Sequence, residues 1–420
     1  MQDTLSLSGA ARPEPAPAPS SPVSPHAAYP AIDRGPVLIA LFAICAVSVV
    51  IGLAVDVRQA ALFLIGSLFG ITLFHASFGF AGGWRRMVVE KRGRGIRVQM
   101  LMIGVAAIAF IPLLAFGHPL NGARLVGAFA PVGVSVLVGA LLFGLGMQLA
   151  GGCGSGTLFT VGGGSTRMLL TLLFFIFGAL MGTAHMPWWL QQATLPAVDL
   201  GAMFGLWQAV ALTLVGLGLV ALASAVIERR AHGGLEAAPV SHVTGWRRML
   251  HGPWPLVAAG LALAGLNIAT LLVAGHPWSI TYAFGLWGAK VAHAVGVPVE
   301  EWTFWSWPVQ AQALNSSVLY DSSSVMDFGT MLGAALAAGL GGRFAVKAKL
   351  PAASLVAAGI GGILMGYGAR LAFGCNIGAL FGGIASGSLH GWLWLVAAFI
   401  GSLLGIWLRP MFGLEGFRKK

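Results

Sequence analysis

Residues 144–156 read Gly-Leu-Gly-Met-Gln-Leu-Ala-Gly-Gly-Cys-Gly-Ser-Gly, and residues 366–378 read Gly-Tyr-Gly-Ala-Arg-Leu-Ala-Phe-Gly-Cys-Asn-Ile-Gly. At a fixed offset of 222 positions, Gly144 falls on Gly366, Gly146 on Gly368, and Leu149-Ala150 on Leu371-Ala372. Gly152 then falls on Gly374, Cys153 on Cys375, Gly156 on Gly378 and Leu158-Phe159 on Leu380-Phe381, all without a gap. Agreement of this kind marks an internal repeat. It places two cysteines at equivalent points of two half-molecules and makes them the first candidates for a site.

The surrounding chain sets the class. It is 57% hydrophobic and 9% charged, with a mean hydropathy of +0.85, whereas a soluble domain carries about 25% charged residues. Apolar runs of about 18 residues or more, long enough to cross a bilayer as helices, recur from Pro36 onward. The 61 glycines weaken helices in water but allow close backbone approach between helices in lipid. The fold expected is an all-α polytopic membrane protein. The basic residues behind the net charge of +11 gather in short loops, among them Arg85 to Arg97, Arg229 and Arg230, Arg247 and Arg248, Arg343 to Lys349, and Arg418 to Lys420. That is the signature of cytoplasmic loops, and it argues against a nucleic-acid partner. The three cysteines, Cys45, Cys153 and Cys375, give neither a disulfide framework nor a metal cluster, and Cys45 reads as a small apolar residue.

The chain divides into a Pro/Ala/Ser-rich disordered tail (1–35), a first membrane half (36–227), a basic cytoplasmic linker (228–253), a second membrane half (254–410) and a basic cytoplasmic tail (411–420). Apolar spans are expected at 36–55, 59–82, 98–116, 131–150, 166–185 and 203–227, then at 254–275, 278–296, 325–342, 351–372 and 391–409. Keeping both termini and every basic loop inside makes the 278–324 stretch a segment without a net crossing. It also sends the span before Cys153 inward and the span before Cys375 outward. The two copies are then inverted, as in transporters whose substrate site lies at the repeat interface near the midplane.

Residues 151–164 and 374–387 are too rich in glycine for helix throughout, and broken backbone at this depth belongs inside protein or along a watery cavity. Short re-entrant half-helices starting there would aim free amides, from Gly152, Gly154 and Gly374 onward, at an anion. Ser155, Thr157 and Asn376 would add donors, and Gln148 and Arg370 hold equivalent places one turn earlier. A thiol at the centre is a soft, weakly donating partner suited to a sulfur-bearing substrate. Arg370 is costly in a membrane and reads as functional. Lys290 and Asp327 read either as one structural pair or as span-end residues. His75, His185, His293 and His390, with Trp188, Trp189, Trp302, Trp305 and Trp307, read as interfacial.

At these residues the chain resembles the YeeE/YedE family of inner-membrane sulfur-compound transporters. The resemblance rests on both Gly-Cys elements, on Leu286-Trp-Gly-Ala-Lys290 and on Asp321-Ser-Ser-Ser-Val-Met-Asp-Phe-Gly-Thr-Met-Leu-Gly333. It implies a compact helical membrane fold with pseudo-symmetric halves and short helices dipping to the centre. It implies a transporter rather than an enzyme, working without a cofactor in a bacterial inner membrane. Thiosulfate or a related sulfur anion would pass along Cys153 and Cys375 by transient S–H···S contacts, and a small cytoplasmic sulfur-carrier protein would be a partner besides the lipid bilayer. Thiosulfate-type members carry a further cysteine in a Phe-Cys-Phe context, where this chain has Phe78-Gly79-Phe80. Two other readings of the residues stand beside transport: a membrane-embedded sulfurtransferase carrying a persulfide, and a small-solute pore without cysteine chemistry.

Overall fold

The computed structural model describes residues 31–117, 124–238, 245–346 and 350–417. The expected tail over 1–30, the 239–244 part of the linker, the 347–349 lysines and the last three basic residues lie outside the described residues.

Ten of the described segments are helices long and apolar enough to cross a membrane. The first half comprises α1 (Arg34–Ala54), α2 (Val57–Ala76), α3 (Phe80–Glu90), α4 (Arg94–Phe116), α5 (Val134–Ala150), α6 (Gly154–Gly162), α7 (Thr166–Leu190), α8 (Leu200–Phe204) and α9 (Leu206–His232). After α10 (Gly245–His251) the second half runs through α11 (Leu256–Ala274), α12 (Thr281–Ala294), α13 (Thr303–Ser306), α14 (Pro308–Asn315), α15 (Ser322–Leu340) and α16 (Ala352–Leu371). It ends with π-helical turns over Asn376–Phe381, α17 (Gly382–Ala385) and α18 (Leu389–Leu408). A small antiparallel ribbon pairs β1 (Pro131–Gly133) with β2 (Thr194–Ala197). The protein is thus an all-α, multi-pass membrane protein, and its lipid-facing wall shows in exposed apolar side chains such as Phe42, Leu53 and Val215.

The expected span at 278–296 does not form. Its helix, α12, has 14 residues, about 21 Å of helix against an apolar core of about 30 Å. Short elements follow it over 299–320 before α15 begins. Run length alone could not detect this, because the apolar stretch includes Trp278, Ser279 and Ile280 of the preceding turn.

Small residues decide which helices touch. A Cβ on Gly144 of α5 would run into the carbonyl of Ala398 on α18, and one on Gly401 into that of Leu141. The same relation holds between α16 and α7: a Cβ on Gly366 would strike the carbonyl of Phe175, and one on Gly178 that of Ile363. Gly182 faces the Arg370 side-chain stem while Gly405 faces that of Gln148. The α5–α18 and α7–α16 contacts therefore match residue for residue at nearly the offset of the repeat, with both pairs parallel. Between them α5 and α16 cross antiparallel, Gly139 against Gly368 and Ala372, and Gly146 against Gly361 and Met365.

One face collects the basic loops. There Glu228, with no exposed side-chain surface, receives Arg97 at 2.7 Å and Arg92 at 3.4 Å. It also accepts the amides of Gly93 at 3.1 Å and Glu236 at 2.8 Å. The start of the expected linker is therefore the ordered end of α9. Asp33 N donates to Gly339 O at 2.9 Å, which fixes the beginning of α1 at this same face. Interfacial readings of the aromatic residues divide: Trp188 is 57% exposed, but Trp305 is buried and donates to Thr183 Oγ1 at 3.0 Å. His75 and His390 are buried, His75 against Trp254 and His390 beside Ser388 Oγ at 2.7 Å.

Candidate functional site

Both Gly-Cys elements interrupt a long helix and restart a short one. Helix α5 stops where Gly151 takes φ +83°, and α16 stops where Phe373 takes +57° and Gly374 +148°. These are left-handed conformations that suit glycine and strain other residues, so Phe373 is held there by its surroundings. The chain then becomes extended at Cys153 (φ −90°, ψ −169°) and at Cys375 (φ −101°, ψ −163°). Each cysteine is the N-cap of the short helical segment that it precedes.

The caps are built alike. Cys153 O accepts the Thr157 amide at 2.8 Å and Cys375 O the Ala379 amide at 2.9 Å, positions equivalent in the repeat. Cys153 Sγ lies 3.5 Å from Ser155 Oγ, and Cys375 Sγ accepts the Ile377 amide at 3.5 Å. Both thiols are 1% exposed. Residues 151–164 are not helical throughout: the chain breaks at 151–153, and the short half-helix α6 runs over Gly154–Gly162. Close contact offsets the weakness of its glycines, since Gly162 lies against the Met331 carbonyl of α15 too closely for any side chain.

The two elements meet. A Cβ on Gly154 would sit 3.1 Å from Cys375 Sγ, so the backbone beside Cys153 touches the other thiol and only glycine fits without displacement. The first turn of α6 leaves the amides of Gly154, Ser155 and Gly156 without intrahelical acceptors, and the helix dipole adds positive potential there. Gly152 packs against the Met168 methyl.

The remaining expected residues fall in different places. Asn376 is buried, and neither its Oδ1 nor its Nδ2 has a partner among the described residues. Thr157 donates its hydroxyl to Cys153 O at 2.9 Å, so that proton is already used in the turn. Gln148 points away from the thiols: its Nε2 donates to Ala81 O of α3 at 3.1 Å. Arg370 is buried between α7 and α12, with its guanidinium 5.8 Å from the Tyr282 ring centroid and 5.0 Å from that of Phe304. Its Nε and Nη1 find no acceptor among the described residues. Lys290 and Asp327 do not pair, because Lys290 Nζ donates to Leu314 O at 2.6 Å and Ser316 O at 2.5 Å. Cys45 is exposed on α1, away from the site.

A cavity of about 750 Å³ runs from Arg86, Arg94 and Arg248 on the basic face down to Gly151, Gly152, Cys153 and Gly156. Gly79 lines its wall, and a Cβ there would meet nothing within 4 Å. A second cavity of about 550 Å³ on the opposite face is lined by Arg124, Asp199 and Ser386 among others. Cys375 lines neither.

Sequence reasoning missed the anchors of this arrangement. Arg167 at the start of α7 donates to Leu149 O at 3.0 Å and to Ala150 O, and Arg409 donates to Gln148 O. Two guanidiniums thus satisfy the orphan carbonyls of α5 just before the first Gly-Cys turn. For Arg167 the only signal in the chain is a lone arginine directly after the glycine-rich loop. Arg94 and Arg248 were read for topology alone and prove to line the cavity.

The family described as Sulphur transport matches residues 75–404. The chain is 28% identical over 360 residues to the Thiosulfate transporter TsuA of Spirochaeta thermophila, which covers 82% of this chain and 97% of that protein. It is 27% identical over 378 residues to the Thiosulfate transporter TsuA of Escherichia coli K12, covering 82% and 93%. Over a shorter stretch of 154 residues it is 36% identical to the Probable transporter YedE of Escherichia coli K12, which covers 36% of this chain and 37% of that protein. With nearly the whole span between its second and last membrane helices matched, and with both Gly-Cys elements inside the match, this chain belongs to the sulphur transport (YeeE/YedE) family.

Proposed function

We propose that the protein takes a small sulfur-containing anion, thiosulfate first, into the cell across a bacterial inner membrane, with the basic face and both termini cytoplasmic. One observation carries this reading: two equivalent Gly-Cys elements meet so closely that the backbone of Gly154, next to Cys153, lies against Cys375 Sγ. A soft sulfur atom passing this point would leave one S–H contact as it makes the next. The amides of Gly154, Ser155 and Gly156 would receive the anion's oxygens, as would the side-chain amide of Asn376, which has no other partner among the described residues. Arg370, unpaired in its aromatic surroundings, supplies positive charge on the side away from the cavity. The names of the relatives, thiosulfate transporters at 27–28% identity, support the choice of anion. The matching α5–α18 and α7–α16 contacts and the antiparallel α5–α16 crossing support two inverted halves. Arg86, Arg94 and Arg248 around the cavity mouth fit the cytoplasmic placement. A soluble sulfur-carrier protein would receive the cargo at that mouth.

The test is uptake of labelled thiosulfate by cells lacking other routes. Cys375→Ala is expected to reduce it to background with the protein still present in the membrane. Full uptake by that variant would refute the thiol role, and conducting Cys→Ser variants of both positions would turn the reading towards a pore without cysteine chemistry.

A further inference from the structure

Asp327 lies in the second turn of α15 with no exposed surface, and neither carboxyl oxygen has a hydrogen-bond partner among the described residues. Helix α15 packs against α2, α1, α6, α12 and α10, and none of them offers it a counter-charge. Helix α6 has no ionisable side chain, and Cys45 of α1 is exposed; Arg34 begins α1 at the basic face. On α2, Arg58 is engaged by the carbonyls of Val273 and Ala274, and His75 lies against Trp254 at the helix's other end. On α12, Lys290 is held by Leu314 O and Ser316 O, His293 by Glu300, and Tyr282 stands by Arg370. Arg247, Arg248 and His251 belong to α10 on the basic face.

An isolated carboxylate in such a medium costs far more than a neutral acid, and a side chain of this kind in a transporter is costly unless used. Its placement suits use. Met331 and Ala334 meet Gly162 of α6, and Asp327 stands one turn before Met331 on the same side of α15. Towards the opposite face Asp321, half-buried, accepts Ser324 N and Oγ at 2.7 and 2.6 Å, and His276 Nε2 lies 3.2 Å from Ser322 Oγ. Polar groups thus lead from the far surface to the level of the two Gly-Cys elements, and beyond them the cavity at Cys153 leads to the basic face.

We infer that Asp327 is the proton-carrying residue of a proton-coupled anion transporter. Its carboxyl takes one proton from water on the opposite face by way of the Asp321 region and yields it to water of the basic-face cavity as the anion passes. Only the O–H bond is made and broken. This inference rests on the transport reading above.

The test uses purified full-length protein in liposomes, with labelled thiosulfate outside and a pH-sensitive dye inside. Wild-type protein is expected to acidify the lumen as thiosulfate enters. A gradient of one pH unit should raise accumulation by up to about tenfold for each coupled proton. Asp327→Asn should keep thiosulfate exchange but lose both acidification and gradient-driven accumulation. Asp327→Glu should keep acidification with a displaced pH optimum. Thiosulfate entry into wild-type liposomes without acidification overturns the proton role and needs no variant, so misfolding of Asp327→Asn cannot hide that result. Retained acidification in a folded Asp327→Asn protein overturns the assignment to this residue. Absence of any thiosulfate entry into wild-type liposomes overturns the transport reading itself, and the inference with it.

Discussion

The two Gly-Cys elements share a backbone path and differ in everything around it. The first turns on Gly151, lines a cavity of about 750 Å³ and ends in a regular helix. The second turns on Phe373 in a left-handed conformation, lines neither cavity and continues through π-helical turns. At the second, Asn376 and Arg370 leave polar atoms without partners, whereas Gln148, the counterpart of Arg370, uses its Nε2 to hold α3 and leaves only its Oε1 without a partner among the described residues. Equivalent backbones thus sit in unequal surroundings: Cys153 borders the basic-face cavity, whereas Cys375 borders neither cavity and has unsatisfied polar groups near it. On the transport reading proposed above, the first would be an open station and the second a closed one.

The largest contrast should appear in thiol reactivity. In a Cys45→Ser background, a membrane-impermeant thiol reagent added from the basic face is expected to modify Cys153, which borders the cavity though it is 1% exposed, faster than Cys375, read by mass spectrometry. Thiosulfate turnover should then expose Cys375 to the reagent. Equal labelling of both thiols in the resting protein would break the comparison, because it would place both in one open space.

A smaller effect is expected at the turn itself. Phe373→Gly relieves a left-handed strain of about 1–2 kcal/mol. It also removes an aromatic ring packed between the main core and the cluster around Met186, Phe304 and Trp305. Deleting a buried Phe costs about 3–5 kcal/mol, and less here because the ring is only half-buried. The balance is a net loss of about 1–2 kcal/mol, which for a chain of 420 residues should lower Tm by about 1–2 °C in detergent. A raised Tm would mean that strain outweighs packing and that the closed station is held shut only weakly.

The reason for such an unequal pair was only partly legible in the chain. The repeat could be read because both copies need glycine at the same close contacts, and Gly144 and Gly366 are fixed by the helices they touch, at Ala398 and Phe175 in turn. The equivalence of Gln148 and Arg370 was legible too, but their fates were not. Those depend on Ala81 in one half and on Tyr282 and Phe304 in the other; Ala81 and Phe304 stand at nearly the offset of the repeat, but one presents a backbone carbonyl and the other an aromatic ring. Lys290 and Asp327 have opposite charges and invited pairing, yet the carbonyls of Leu314 and Ser316 claim the lysine. That competition arises only once α14 folds back over α12. The short helix after the first Gly-Cys turn was legible, but its support was not: the α15 backbone that packs against Gly162 lies in the other half of the chain.

Gly79 offers the finest adjustment of the same comparison. The family resemblance implies a further cysteine at its place in thiosulfate-type members; Gly79 itself borders the cavity leading to Cys153, and a Cβ there meets open space. Its φ of −148° and ψ of 141° are extended backbone open to any residue. Gly79→Cys should therefore fold with a stability change within about 0.5 kcal/mol. In a Cys45→Ser background the introduced thiol should react with the impermeant reagent at least as fast as Cys153, since it lies on the same cavity wall. Thiosulfate uptake should change by no more than about twofold, because a weak S–H contact at an already open site is worth only about a few tenths of a kcal/mol, well under the roughly 1.4 kcal/mol of a tenfold effect. Uptake raised tenfold or more would move the limiting step from the closed station at Cys375 to the open side. Failure of the thiol in Gly79→Cys to react would show instead that the cavity is narrower at its wall than at its floor, and the open half of the comparison would need to be redrawn.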